Sequence, residues 1–183
     1  VMASVLIPIA PGSEELEAVT LIDLLRRAEI EVVVAAARAD PVQCSRGVVL
    51  VPDTTCAALR EREFDLVVLP GGLAGANNLR DDADVQTIPK AHAEAGHYVG
   101  AICAAPKALA AAGLLADKQV TAYPGALDGL DLPGTQVTNS AVQIDGKLIT
   151  SRGPGTAMDF ALTLIEQLLG QTKRQQVEEK LVR

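Results

Sequence analysis

The stretch "GHYVGAICAAPKALAAAG" (96–113) decides how the rest of the chain is read. Tyr98 to Ile102 is an apolar run with the length of a buried strand. The alanine-rich run that follows reads as a helix, and Pro106 suits its first turn. Cys103 falls where one becomes the other. Ala101 and Ala105, two residues to either side, are small, as a sharp strand-to-helix turn requires. This is the nucleophile-elbow pattern with cysteine in place of serine. A helix N-terminus beside the sulfur is expected to lower its pKa. The competing reading is a buried structural cysteine, since cysteine is a small hydrophobe often found inside. Position alone leaves both standing.

Outward from that stretch, apolar runs alternate with helical ones. "SVLIPIA" (4–10), "EVVVAAA" (31–37) and "DLVVLP" (65–70) read as strands. "SEELEAVTLIDLLRRA" (13–28) reads as a helix, with Ser13 as N-cap and an acidic first turn. "QCSRGVVLV" (43–51) reads as strand, turn and strand. "DADVQTIPKAHAEAG" (82–96) is mostly helical, with Pro89 implying a late start or a kink. "VQIDGKLIT" (142–150) is a hairpin with Asp145-Gly146 as a type I′ turn. "SRGPGTAMDFALTLIEQLLG" (151–170) runs from a glycine-rich loop into a helix, and a charged helical tail starts at Gln171. Alternating helices and fully apolar strands predict an α/β fold whose parallel sheet is covered on both faces. One domain over 1–183 suits the length, and no internal repeat or long linker interrupts it. Ligands of such sheets bind at the carboxyl ends of the strands. The loops at Ala10 to Ser13, Pro70 to Gly72 and Cys103 to Ala105 therefore matter most.

Composition narrows the function. Hydrophobic residues make up 49% of the 183, and mean hydropathy is +0.24, as in a globular chain. No apolar run reaches membrane-helix length, and no signal peptide is expected. Net charge is −7 and aromatic content 2%, which argues against tight nucleic-acid binding. Three cysteines without metal-ligand spacing, Cys44, Cys56 and Cys103, suit a reducing cytoplasm better than a disulfide framework. The two histidines are too few for an obvious metal site.

Other residues near the candidate loops have two readings each. Gly71 and Gly72 are either a tight turn or backbone amides that join Ala104 in an oxyanion hole. Glu14, Glu15 and Glu17 complement the helix dipole. Glu17 also shares an apolar stripe with Leu21 and Leu24, where a carboxyl group is protonated more readily and can exchange protons with a substrate. His97 begins the strand that Cys103 ends, so roughly 20 Å separates them. His92 lies farther toward that end, and both are expected at the surface. Arg46 and Arg152 sit in glycine-bearing loops, either holding carboxylates or simply solvated. Cys44 and Cys56 are assigned no role.

Taken together, "APGSEELEAV", "PVQCSRGVV", "VVLPGG", "GANNLR", "AICAAPKAL" and "TSRGPGTAMDFAL" resemble the ThiJ/PfpI superfamily, most closely its DJ-1-like branch. The resemblance runs from the first strand to the last helix, in order. It implies a flavodoxin-like three-layer sandwich that forms a homodimer. It implies Cys103 as nucleophile, Glu17 as its protonated acidic partner, and Gly71, Gly72 and Ala104 as oxyanion groups. Arg46 and Arg27 match arginines near the dimer interface, and Arg152 matches a loop arginine near the site. The implied activity is glutathione-independent conversion of methylglyoxal-type 2-oxoaldehydes to hydroxy acids, or repair of their early protein adducts, with no metal or organic cofactor. Redox sensing and chaperone activity through an oxidisable cysteine form the rival implication. A peptidase is a weaker third, since no histidine lies near the elbow. One departure is "TAYPGA", which puts Tyr123 where many relatives carry a histidine. Tyrosine is a poor base at neutral pH, which leaves Glu17 as the acid/base.

Overall fold

A computed structural model describes residues 2–183. In chain order the elements are β1 (Ser4–Pro8), α1 (Glu15–Arg27), β2 (Glu31–Ala36), a hairpin of β3 (Val42–Gln43) and β4 (Val49–Leu50), β5 (Thr54–Thr55), β6 (Leu66–Leu69), α2 (Leu73–Asp81), α3 (Ala83–Glu94), β7 (Tyr98–Ile102), α4 (Pro106–Ala111), β8 (Gln119–Val120), β9 (Gln136–Val137), β10 (Val142–Asp145), β11 (Leu148–Ser151), α5 (Ala157–Leu169) and α6 (Gln171–Leu181). The main sheet has seven strands in the order β10-β11-β7-β6-β1-β2-β5. Every neighbouring pair is parallel except the β10–β11 hairpin at one edge.

The strands are apolar throughout because both faces are covered. On β1, Val5 and Ile7 point into one core with Leu21, Leu25, Phe160 and Ile165 of α1 and α5. Leu6, between them, points into the other with Leu79, Ile88 and Leu109 of α2, α3 and α4. The period of two thus divides one strand between two hydrophobic layers. The result is the expected three-layer α/β sandwich with a mostly parallel sheet. Among the described residues no helix is long and apolar enough to cross a membrane.

Local chemistry departs from the sequence reading in several places. Glu14, not Ser13, caps α1, accepting from the Leu16 N–H. Ser13 is fully buried, and its Oγ accepts from the Ala10 N–H instead. Helix α3 starts at Ala83, ahead of Pro89, because the Asp82 carboxylate takes the Asp84 and Val85 N–H groups. In the β10–β11 hairpin Asp145 pairs with Leu148, so the turn residues are Gly146 and Lys147. Only Gly146 has positive φ, which fits type II′ rather than I′.

His92 is buried, not at the surface. Its Nε2 accepts from the Phe64 N–H at 2.9 Å, and its Nδ1 lies 2.8 Å from the Ile88 carbonyl oxygen. An accepting Nε2 requires the neutral ring with its proton on Nδ1. The ring thereby ties α3 to the segment leading into β6. Burial lowers its pKa from 6.5. The unfolded chain binds the proton first as pH falls, so this contribution is complete above pH 6.5 and lost below it. His92→Ala is expected to cost about 1–3 kcal/mol at pH 8, with the difference from the parent shrinking on acidification. Urea denaturation across pH checks this, and an unchanged midpoint at pH 8 would sink the tie.

Candidate active site

Cys103 follows β7 with φ +65°, a left-handed backbone that costs a non-glycine residue roughly 1–2 kcal/mol. Two backbone bonds hold it there. Its N–H donates to the Ser151 carbonyl at 2.9 Å, and its own carbonyl accepts from the Tyr123 N–H at 2.8 Å. Ala101, Ala104 and Ala105 are buried around it, and Pro106 opens α4. The elbow read from the sequence is thus present as a strained residue secured from both sides.

Glu17 comes from the first turns of α1 and is fully buried with Leu21 and Leu24 on the same face. Its Oε1 accepts from the Gly71 N–H at 2.9 Å. Its Oε2 is buried without a hydrogen-bond partner. Gly71 lies between the two side chains. A Cβ there would come within 2.6 Å of Glu17 Oε1 and 2.7 Å of Cys103 Cβ. This gives Gly71 a different task from the expected oxyanion donor, because its N–H is already engaged. The amides that favour the Cys103 thiolate are those of Gly72 and Ala104.

Ionisation of the two groups is linked. Burial raises Glu17 from 4.5 to about 7, opposed by the Gly71 bond and the Cys103 thiol. Burial first, and then the Glu17 charge, push the Cys103 thiol up to about 12, with the Gly72 and Ala104 amides pulling the other way. The expected lowering by the helix is therefore overturned. Helix α4 has only 6 residues, and its dipole is outweighed by desolvation and a neighbouring carboxylate. Protonating Glu17 removes that repulsion, so a proton on one group favours its loss from the other.

The sulfur faces a cavity of about 410 Å³ whose lining includes Glu14, Arg46, Leu73, Lys107, Tyr123 and Pro124. This volume accommodates a small molecule. A family model described as the DJ-1/PfpI family matches residues 3–167. The chain belongs to the DJ-1/PfpI family. It is 43% identical to Protein dj-1beta of Drosophila melanogaster, over 98% of this chain and 96% of that one. The crystal structure of Drosophila melanogaster DJ-1beta superposes with a TM-score of 0.95, covering 100% of this chain and 98% of the other. The structure of oxidised Toxoplasma gondii DJ-1 gives a TM-score of 0.93 at 38% identity, covering 98% of each chain. The glutathione-independent glyoxalase DJR-1.2 of Caenorhabditis elegans is 34% identical over 93% of this chain and 91% of its own.

Within this family fold, Cys103, Glu17, Gly71, Gly72, Ala104, Tyr123 and Arg46 gather at one place. Arg27 does not. It ends α1, ten residues or roughly 15 Å beyond Glu17, and pairs with Asp23. Arg152 is half-buried beside the site, its N–H donating to the Ala141 carbonyl. Two contributors escaped the sequence reading. Lys107 stands four residues after Cys103, a spacing that returns it to the same mouth. Glu15 is buried and receives the Ser45 hydroxyl and the Arg46 and Val48 N–H groups. Burial opposes its charge, but these bonds and its own backbone hold its carboxyl at about 2. It thereby fixes the turn that carries Arg46. Cys44 and Cys56 are buried and unpaired, and burial raises both thiols.

Between pH 4.5 and about 7 the folded protein keeps a proton on Glu17 that the unfolded chain has released. Native stability from this group is complete below pH 4.5 and declines as pH rises through 7. Glu17→Gln is expected to abolish that decline, read as a stability difference from the parent that varies with pH in this window. A constant difference would show that Glu17 is not the group responsible. Gly71→Ala is expected to lower stability by roughly 1–3 kcal/mol through overpacking, and the urea midpoint checks it.

Proposed function

We propose that the protein is a cysteine-dependent, glutathione-independent glyoxalase acting on methylglyoxal-type 2-oxoaldehydes, with early aldehyde adducts of proteins as a related deglycase substrate. The observation that supports this most is the unpartnered Oε2 of Glu17, on a carboxyl group linked in ionisation to an elbow thiol. A buried carboxyl group with a raised pKa is suited to give and take protons near neutral pH. The similarity to the nematode protein named as a glyoxalase is consistent with the reading.

In this mechanism Glu17 holds the proton and Cys103 reacts as thiolate. The sulfur bonds to the aldehyde carbon, and the developing alkoxide is met by the Gly72 and Ala104 amides. Glu17 gives it a proton through Oε2, forming a hemithioacetal. The resulting carboxylate removes the hydrogen from that carbon and returns it to the former ketone carbon through an enediol. This yields the thioester of a 2-hydroxy acid, and water releases the acid and restores the thiol. The sum is one 2-oxoaldehyde plus one water giving one hydroxy acid. No step needs a metal or an organic cofactor.

A homodimer belongs to the same proposal. Leu16 and Val19 on α1, Val49 on β4 and Val51 just after it are exposed apolar residues. Arg27 and Arg46 flank them and are assigned to that interface, with Arg152 and Tyr123 supporting the site. The cytoplasm is the proposed location. A second reading is a redox-responsive sensor or chaperone. It is favoured by the two amides facing the sulfur, which suit the oxygens of an oxidised cysteine.

Lactate formation from methylglyoxal tests the two readings. Turnover is expected in the parent, with Cys103→Ser and Glu17→Gln each losing about a hundredfold or more. Oxidation of Cys103 by peroxide, followed by mass spectrometry, is expected to change only partly in Glu17→Gln. Inactivity of the parent would reject the glyoxalase and leave the sensor.

A further inference from the structure

Two cations line the Cys103 cavity, Arg46 from the β3–β4 turn and Lys107 from α4. Neither forms an ion pair among the described residues, although most other arginines do. Arg46 is exposed, whereas Lys107 is half-buried on the cavity lining it shares with Cys103. Lys107 Nζ donates to the Asn77 Oδ1 at 2.9 Å, a neutral acceptor. Burial lowers its pKa, and Arg80 adds like charge. Glu14 is on the lining too, but it forms no ion pair with Lys107; its Oε1 accepts from the Leu16 N–H and its Oε2 from the Ser45 hydroxyl. Leu73 and Pro124 provide apolar wall. A small, largely apolar-walled cavity holding an ammonium without an ion-pair partner strengthens the charge interactions made inside it.

We propose that Lys107 selects aldehydes that carry a carboxylate next to the reacting carbonyl, placing the carboxylate at Nζ and the aldehyde at Cys103. This deepens the glyoxalase reading and rests on Cys103 as its nucleophile. A monoanion matches the single charge of Nζ. With glyoxylate as the probe, the sulfur bonds to the aldehyde carbon and the carbonyl electron pair moves to oxygen. That oxygen takes the proton the thiol gave up. A hemithioacetal forms, and nothing is oxidised or reduced. Glyoxylate has no ketone carbon to receive the transferred hydrogen, so it acts as an inhibitor of methylglyoxal turnover.

The first test needs no turnover. Cys103 is alkylated by iodoacetate, an anion, or by iodoacetamide, its neutral counterpart, the sulfur displacing iodide in both. Rates are read at Cys103 by peptide mass spectrometry in the parent, Lys107→Met and Lys107→Arg. A change in thiolate population alters both rates equally and cancels in their ratio. The iodoacetate-to-iodoacetamide ratio is expected to fall roughly three- to tenfold in Lys107→Met, to be largely kept in Lys107→Arg, and to decline with added salt in the parent. The inhibition constant of glyoxylate is expected to rise by a similar factor in Lys107→Met. A ratio that is the same in the parent and Lys107→Met would overturn the proposal. Loss of that ratio in Lys107→Met in a protein that does not turn over methylglyoxal would support the anion preference while rejecting the glyoxalase.

Discussion

The site depends on the close passage of one backbone segment between two side chains. Gly71 donates its N–H to Glu17, and its carbonyl accepts from the Glu14 N–H at 2.9 Å. The start of α1 is therefore bonded to the end of β6 through both groups of a single peptide residue. Cys103 closes from the other side, near enough that a methyl group on residue 71 has no room. Sequence-distant parts meet here because β1, β6 and β7 are adjacent in the sheet. Their carboxyl ends consequently deliver an acid, a spacer and a nucleophile to one point. The same closeness excludes water, and this is why burial heads the causes of both pKa shifts.

Much of this was legible in the residues. The alternation of apolar and helical runs revealed the sandwich, and small residues around Cys103 revealed the elbow. Glu17 could be singled out because it shares the face of Leu21 and Leu24, and all three proved buried. What stayed hidden required knowledge of distant backbone. The two glycines at 71 and 72 look equivalent as a turn, yet one serves Glu17 and the other faces sulfur. Helix α2 escaped notice because its glycine at 75 lowers helix propensity. That glycine is needed since a Cβ would lie 2.5 Å from the Ser13 backbone. Ser13 and His92 were misplaced for a similar reason. Each is polar, and each is buried by bonding a main-chain N–H that no local pattern discloses.

The glutamates at 14, 15 and 17 show how environment divides one residue type into three tasks. Glu14 caps its helix and reaches Ser45 at the cavity edge. Glu15 collects main-chain donors from the β3–β4 turn and stays charged. Glu17, fully buried with a single main-chain donor, has its proton held to about neutrality. Spacing along the helix assigns the partners. For Glu15 and Glu17, burial set against the hydrogen bonds offered to the carboxylate then determines whether it remains an anion or becomes an acid.

The contact between residue 123 and Cys103 separates two properties of that position. Its grip on the elbow runs through the main chain, from the Tyr123 N–H to the Cys103 carbonyl. Its side chain, more than half exposed, only borders the cavity. Any residue with an amide hydrogen supplies the grip, so the side chain is free to diversify under selection for chemistry. Proline alone is barred, since it has no hydrogen to donate. Evolution can thus retune the mouth of the cavity at this position while the geometry of the nucleophile is inherited unchanged.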